Sequence, residues 1–262
     1  MFEQALIWGV VWAFGLVFLA WLWHLYTKNA GWVDVAWAVG LGGLAVLYAC
    51  LLPGDPSKRL LIGSLGGLWG LRLGSHLAVR VARAPQEDGR YRQLRAEWGS
   101  NIELKFLGFF LSQGLLDLVL SLPFLLALLD PSPLRPLHWV AAALLLGSIA
   151  GEALADAQLQ RYRAQPGAQG QVFRAGLWSL SRHPNYFFEW LAWVAFALLA
   201  LPSPWGWLGF VSPLLILYFL LRVTGIPATE AQALRSKREA YGRYQREVSP
   251  FIPWLPRKRP AP

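Results

Sequence analysis

Seven stretches of this chain stay apolar for roughly the twenty residues that a helix needs to cross a bilayer. They run from Ala5 to Trp23, Gly31 to Leu52, Leu60 to Ala82, Leu104 to Leu129, Leu137 to Leu159, Tyr186 to Leu201 and Trp205 to Val223. Composition points the same way. Hydrophobic residues make up 55% and charged residues only 15%, whereas a soluble domain carries about a quarter charged. The expected fold is an all-α integral membrane protein, a seven-transmembrane helix bundle. Pro123 predicts a kink in the fourth span. Glu3 and the lack of a basic leader argue against a cleavable signal peptide. One cysteine, Cys50, rules out an intrachain disulfide and offers no metal cluster.

The connections alternate in charge. Pro53 to Arg59, Asp130 to Pro136 and Pro202 to Pro204 are short and nearly neutral in net charge. The segments Arg80 to Lys105 and Arg161 to Arg182 are basic, as is the tail with Arg235, Lys237, Arg238, Arg243, Arg246, Arg257, Lys258 and Arg259. A net charge of +9 therefore reads as topology, not as a nucleic-acid surface. The positive-inside rule puts the N-terminus outside and the C-terminus in the cytoplasm.

On that topology the ionisable residues of the spans lie on one side. Asp34, Arg72, His76, Glu152, Asp156, Glu189 and Arg222 fall in the inner halves of their helices, and only Asp117 sits near mid-membrane, with Gln113 one turn away. Intramembrane charges are expensive and mark sites. A conduit would carry polar groups through both leaflets, so this pattern predicts a chamber open to the cytoplasm. The competing explanation is that charges near helix ends snorkel to the headgroups. Asp34 and Arg72 are a candidate pair, with His76 one turn from Arg72. Trp32, Trp37, Trp178 and Trp254 lie near the polar residues and suit a flat apolar ligand.

The stretch Ser181 to Pro202 joins the two themes. Pro184 suits the first turn of a helix, which puts Asn185 and Glu189 at i and i+4 on one face. Arg182 and His183 sit just before it, where a helix N-terminus favours an anion. Asp156, Gln160 and Arg163 share one face of the fifth helix. Arg163, Arg174 and Arg182 converge on the same neighbourhood, across the Gly-rich AQPGAQGQ loop. Cations with carboxylate and amide acceptors suggest a phosphorylated nucleotide. No GxGxxG follows a strand, so no Rossmann fold is expected. Simple obedience to the positive-inside rule also accounts for these arginines.

The motifs NAGWVDVAWAVG, EDGRYRQLRAEWG, DAQLQRYR, GLWSLSRHPNYFFEW and TGIPATE, followed by YGRYQREVSPFIPW, resemble the bacterial branch of the steroid 5-alpha-reductase superfamily over nearly the whole chain. The resemblance implies one domain over residues 1–262 in a bacterial inner membrane, with a cytoplasmic NADPH pocket and the tail from 229 to 262 as a lid. It implies hydride transfer to the 4,5 double bond of a 3-oxo-Δ4-steroid or related enone lipid. Asp156, Arg163, Arg174, Asn185 and Glu189 would contact the cofactor, with Gln160, Arg182, His183 and Tyr186 beside them and Glu230 and Tyr241 in the lid. Animal members carry a Gln-Glu pair in the second span and a His-Tyr pair in the third. Here Asp34 would replace the acid and His76 the third-span partner, with Arg72 orienting the carboxylate. Trp32, Trp37 and Gln113 would line the substrate, and the oligomeric state stays open, a monomer included. The RHPxY element also occurs in S-adenosylmethionine-dependent isoprenylcysteine and phospholipid methyltransferases, which keeps that activity as an alternative. A non-enzymatic lipid-binding or transport protein is a third.

Overall fold

A computed structural model describes residues 1–168 and 170–256. Gln169 of the Gly-rich loop and Arg257, Lys258 and Arg259 of the basic tail lie outside the described residues. Within them the chain is helical, and the one strand-like feature is an isolated parallel bridge between Ser181 and Ser249. The helices are α1 (Phe2–Thr27), α2 (Trp32–Leu51), α3 (Pro56–Arg83), α4 (Gly89–Trp98), α5 (Ile102–Leu120), α6 (Leu122–Leu129), α7 (Pro136–Arg163), α8 (Pro184–Ala200), α9 (Val211–Tyr218) and α10 (Ile226–Glu247). Five helical stretches are long and apolar enough to cross a membrane: Phe2–Thr27, Trp32–Leu51, Ile102–Leu129, Pro136–Arg163 and Gly206–Glu247. They are compatible with a multi-pass membrane protein. α3 is long but carries Lys58, Arg59, Arg72, Arg80 and Arg83, and α8 has 17 residues.

The chain divides into two compact units. One comprises Met1–Ala142 and Phe196–Ser212, the other Ala143–Ala195 and the chain from Pro213 on. In the first, α1 buries a stripe of Ala5, Gly9, Ala13 and Val17 at four-residue spacing and leaves Ile7, Trp8 and Leu19 exposed. That is the pattern of a helix with one protein-facing side and an apolar outer face. α2 and α3 pack backbone against backbone. A Cβ on Gly42 would lie 2.8 Å from Gly70 Cα, and Gly63 and Gly66 face the methyls of Ala49 and Ala45. Small residues give such close approach, which between lipid-facing helices replaces hydrophobic drive with dispersion. Asp55 starts α3 by accepting from the backbone N–H groups of Ser57 and Lys58, with Pro56 in the first turn.

The expected kink is a break. α5 stops at Leu120, Ser121 intervenes, and α6 begins with Pro123 in its first turn. Proline cannot continue the backbone ladder of the preceding turn. Beyond α6, Lys58 is fully buried and its ammonium lies 3.0 Å from Asp130 Oδ2, while also donating to the Asp130 carbonyl. A buried ion pair of this kind fixes a geometry more than it adds stability.

In the second unit α8 begins at Pro184, as its sequence requires. The 3-10 turn Gly176–Ser179 is pinned to α7, where Gln158 Oε1 accepts from Leu177 N and the Ala155 carbonyl accepts from Trp178 Nε1. Gly176 has φ +59 and the Gln158 side chain 2.6 Å from where a Cβ would stand, so only glycine fits there. Phe219–Val223 forms a π-helical turn before α10, whose own backbone breaks at Arg238 with φ 40. After α10 the chain returns as a strap along Leu180–Arg182. Arg182 N donates to Ser249 O, Ser181 Oγ to Phe251 O, and Trp254 N to Leu180 O.

Candidate functional site

Polar side chains in the second unit gather around the first turns of α8. Asn185 Nδ2 donates to Asp156 Oδ1 across 3.2 Å. Asn185 Oδ1 is buried and has no hydrogen-bond partner among the described residues. Glu189, one turn on, is buried and accepts from Trp193 Nε1 at 2.8 Å. These three residues were expected together, and the i, i+4 spacing with the inward run of α7 accounts for it. Gln160 and Arg163 are exposed at the end of α7. Tyr162 of the same turn stacks on Phe173 at 4.7 Å, beside Arg174 in sequence.

Arg182, His183, Glu230 and Tyr241 also meet, but their bonds are made with one another. Glu230 Oε1 accepts from Arg182 Nε at 2.6 Å, lies 3.3 Å from His183 Nε2 and accepts from Tyr241 OH at 3.4 Å, while Gln245 Nε2 donates to Oε2 at 2.7 Å. Arg182 Nη1 donates further to the carbonyls of Gln245 and Val248. The group therefore clasps α10 to the start of α8. Burial opposes the Glu230 carboxylate, yet the donors from His183 and Arg182 hold its pKa down at about 2. Burial is also the largest influence on His183, and it lowers the imidazole pKa despite the carboxylate beside it. Tyr186 stacks on His183 at 5.3 Å and its hydroxyl lies 3.1 Å from Thr229 Oγ1. Arg174 pairs with Glu247 and lies over the ring of Tyr244.

In the first unit, Asp34 sits in the first turn of α2. Its partners are not Arg72 but Tyr91, which donates to Oδ1 at 2.5 Å, and Arg90 and Arg80, whose guanidinium nitrogens lie 3.0 and 3.4 Å from Oδ2. Sequence reasoning missed Arg90 and Tyr91. Both are in the EDGRYRQLRAEWG motif, read there as basic loop, and Asp88 caps this segment into α4. Tyr91 is nearly fully buried with Phe106 and Phe110. Burial and the Asp34 charge push its hydroxyl well above the ordinary tyrosine range, so it is a committed donor to the carboxylate. Arg72 and His76 are half-buried on one face of α3.

The aromatic candidates separate. Trp37 stands edge-on to Trp69 at 5.9 Å and Trp32 edge-on to Trp23 at 6.1 Å. Trp178 is buried and hydrogen-bonded, whereas Trp254 is exposed. Gln113 is half-buried on α5. One turn further, Asp117 is wholly buried against Gly40, and neither of its oxygens has a partner among the described residues. No group of three His, Cys, Asp or Glu able to hold a metal occurs among the described residues.

Comparison with known proteins finds a family described as protein of unknown function (DUF1295), which matches residues 20–248. No curated protein and no solved structure matches.

Proposed function

The chain belongs to this family of unknown function, and we propose that it is a seven-span inner-membrane enzyme that reduces the carbon–carbon double bond of an enone lipid, such as a 3-oxo-Δ4-steroid, with NADPH. In this reading the N-terminus lies outside and the polar end of α8 faces the cytoplasm. The observation that carries it is Asn185. A buried amide oxygen without a donor costs on the order of 1–3 kcal/mol, and here it sits beside Asp156 at the start of α8. An N–H donor such as a nicotinamide carboxamide suits that position. Arg163, at the exposed end of α7, and Arg174, paired with Glu247 and lying over Tyr244, would supply cations for phosphate.

Bound NADPH would supply a hydride to the β-carbon of the enone. Asn185 and Asp156 would orient the cofactor's amide end, and Glu189 would be fixed by Trp193 beside them. Arg182, His183, Glu230 and Tyr241 would keep α10 in place over the site. His76, with Arg72 one turn away on the same helix, is the candidate donor to the ketone oxygen on the family resemblance alone. Asp34 acts as a positioning residue, because Tyr91 and Arg90 already occupy its oxygens. A methyltransferase using S-adenosylmethionine, which has no phosphate, would give the arginines only a single carboxylate to meet.

Binding to the purified protein in detergent separates these readings. NADPH fluorescence should report binding that NADH does not match and S-adenosylmethionine does not displace. Arg163→Ala and Arg174→Ala should each weaken NADPH by about tenfold or more, the worth of a charge-assisted hydrogen bond. Retention of S-adenosylmethionine instead would establish the methyltransferase. Retention of neither would sink the enzyme reading.

A further inference from the structure

The strap after α10 turns apolar side chains outward where a soluble protein would bury them. Phe251 is buried and rests on the first two turns of α8, with its ring 5.8 Å from both Phe187 and Trp190. Its neighbours Ile252, Trp254 and Leu255 are 58%, 72% and 76% exposed. The backbone hydrogen bonds to Leu180, Ser181 and Arg182 fix this presentation. A shallow hollow between α10 and the strap is lined by Arg246 and Glu247 on one side and by Trp254 and Leu255 on the other, and a second hollow brings Arg246 and Arg243 together with Glu239. Neither arginine has an ion-pair partner among the described residues, although Glu230 and Glu247 on the same helix are both engaged.

We propose that this strap is a binding site for anionic phospholipid at the membrane surface, with Ile252, Trp254 and Leu255 in the interfacial layer and Arg243 and Arg246 on the headgroup phosphates. Depth and charge both point to that occupant. Phe251 sets the strap level with the first two turns of α8, which in the membrane reading of that helix is the depth of the headgroup layer. Tryptophan and leucine partition into this layer. Unpaired cations beside them match an anionic headgroup, each contributing about fivefold in surface affinity. A protein partner would have to complement the same apolar and basic mixture, which a headgroup layer beside α8 would meet without a dedicated surface. The inference rests on the membrane reading of α8 and not on any chemistry assigned to the site.

The full chain in lipid nanodiscs tests it. In a Cys50→Ser background, Leu255→Cys carries an environment-sensitive fluorophore, and Leu19→Cys on the exposed face of α1 is the control. Lipids bearing a nitroxide just below the headgroup report contact with the bilayer, and acrylamide reports contact with water. The label at 255 should be quenched by the lipid nitroxide and shielded from acrylamide, more completely with phosphatidylglycerol than with phosphatidylcholine alone. Arg243→Gln with Arg246→Gln should lower its partition into the anionic bilayer by roughly tenfold or more. A label at 255 open to acrylamide while the control at 19 is lipid-quenched overturns the site. A label shielded from both quenchers means that protein covers the strap, which also overturns it. Lipid quenching indifferent to phosphatidylglycerol removes the arginines from the proposal. A control at 19 that is open to acrylamide fails the membrane reading itself.

Discussion

Glu230 meets Arg182, His183, Tyr241 and Gln245 at its two oxygens, and that makes the clasp sensitive to acid. Its folded pKa of about 2 lies below the ordinary 4.5. The stabilisation is therefore complete above the ordinary value and is lost as pH falls from there through the folded value. His183 adds to it in the same direction, because its lowered pKa means that the imidazole is kept neutral in the fold and must charge at low pH. Hydrogen-exchange protection over residues 226–256, taken relative to the intrinsic rate at each pH, should fall as pH drops below about 6.5 and fall more steeply below 4.5. Glu230→Gln should lose on the order of 2–3 kcal/mol of clasp stability at neutral pH and flatten the acid limb. An unchanged acid limb in that variant would remove Glu230 from the clasp. The sequence placed Arg182, His183, Glu230 and Tyr241 in one neighbourhood through their motifs. It did not reveal that they satisfy one another, because hydrogen-bond pairing across 48 residues between Arg182 and Glu230 leaves no periodic trace.

Helix α4 had no such motif to announce it as a helix. Its ten residues, GRYRQLRAEW, include three arginines and one glutamate, and polar composition hides a short helix among loop residues. What holds it is tertiary: Tyr91 and Arg90 on Asp34, and Arg95 on Glu87, whose Oε1 also accepts from Ala30 N. Tyr91→Phe keeps the ring among Phe106 and Phe110 but withdraws the hydroxyl from Asp34, which should destabilise the α4 segment by about 1–3 kcal/mol. Limited proteolysis between 84 and 99 would read this as faster cleavage, with the rest of the chain intact. Cleavage at the parent rate would show that the arginines alone secure Asp34. The apolar helices, by contrast, were legible nearly to their ends, and Pro123 and Pro184 marked a break and a start for the reason proline always does.

Across the whole chain, the alternation of basic and uncharged connections predicts sidedness, which impermeant labelling of intact cells checks directly. In the Cys50→Ser background, a cysteine at Pro133 should react from outside and one at Gln165 should not. Labelling of Gln165→Cys from outside would reverse the topology. How the charged residues pair was legible only in outline, because apolar runs fix which residues form long helices but not which helix faces meet. That is plainest in α2 and α3, whose contact depends on glycines that hydrophobic pattern ignores. Their seam also bears on time. The two helices are joined by four residues, Leu52–Asp55, and meet through contacts that are near in sequence, with no side chain to reorder before the backbones touch. Little chain entropy stands in the way of such a pairing. The hairpin is therefore equipped to form early during synthesis, a finished template waiting while the ribosome is still making α5.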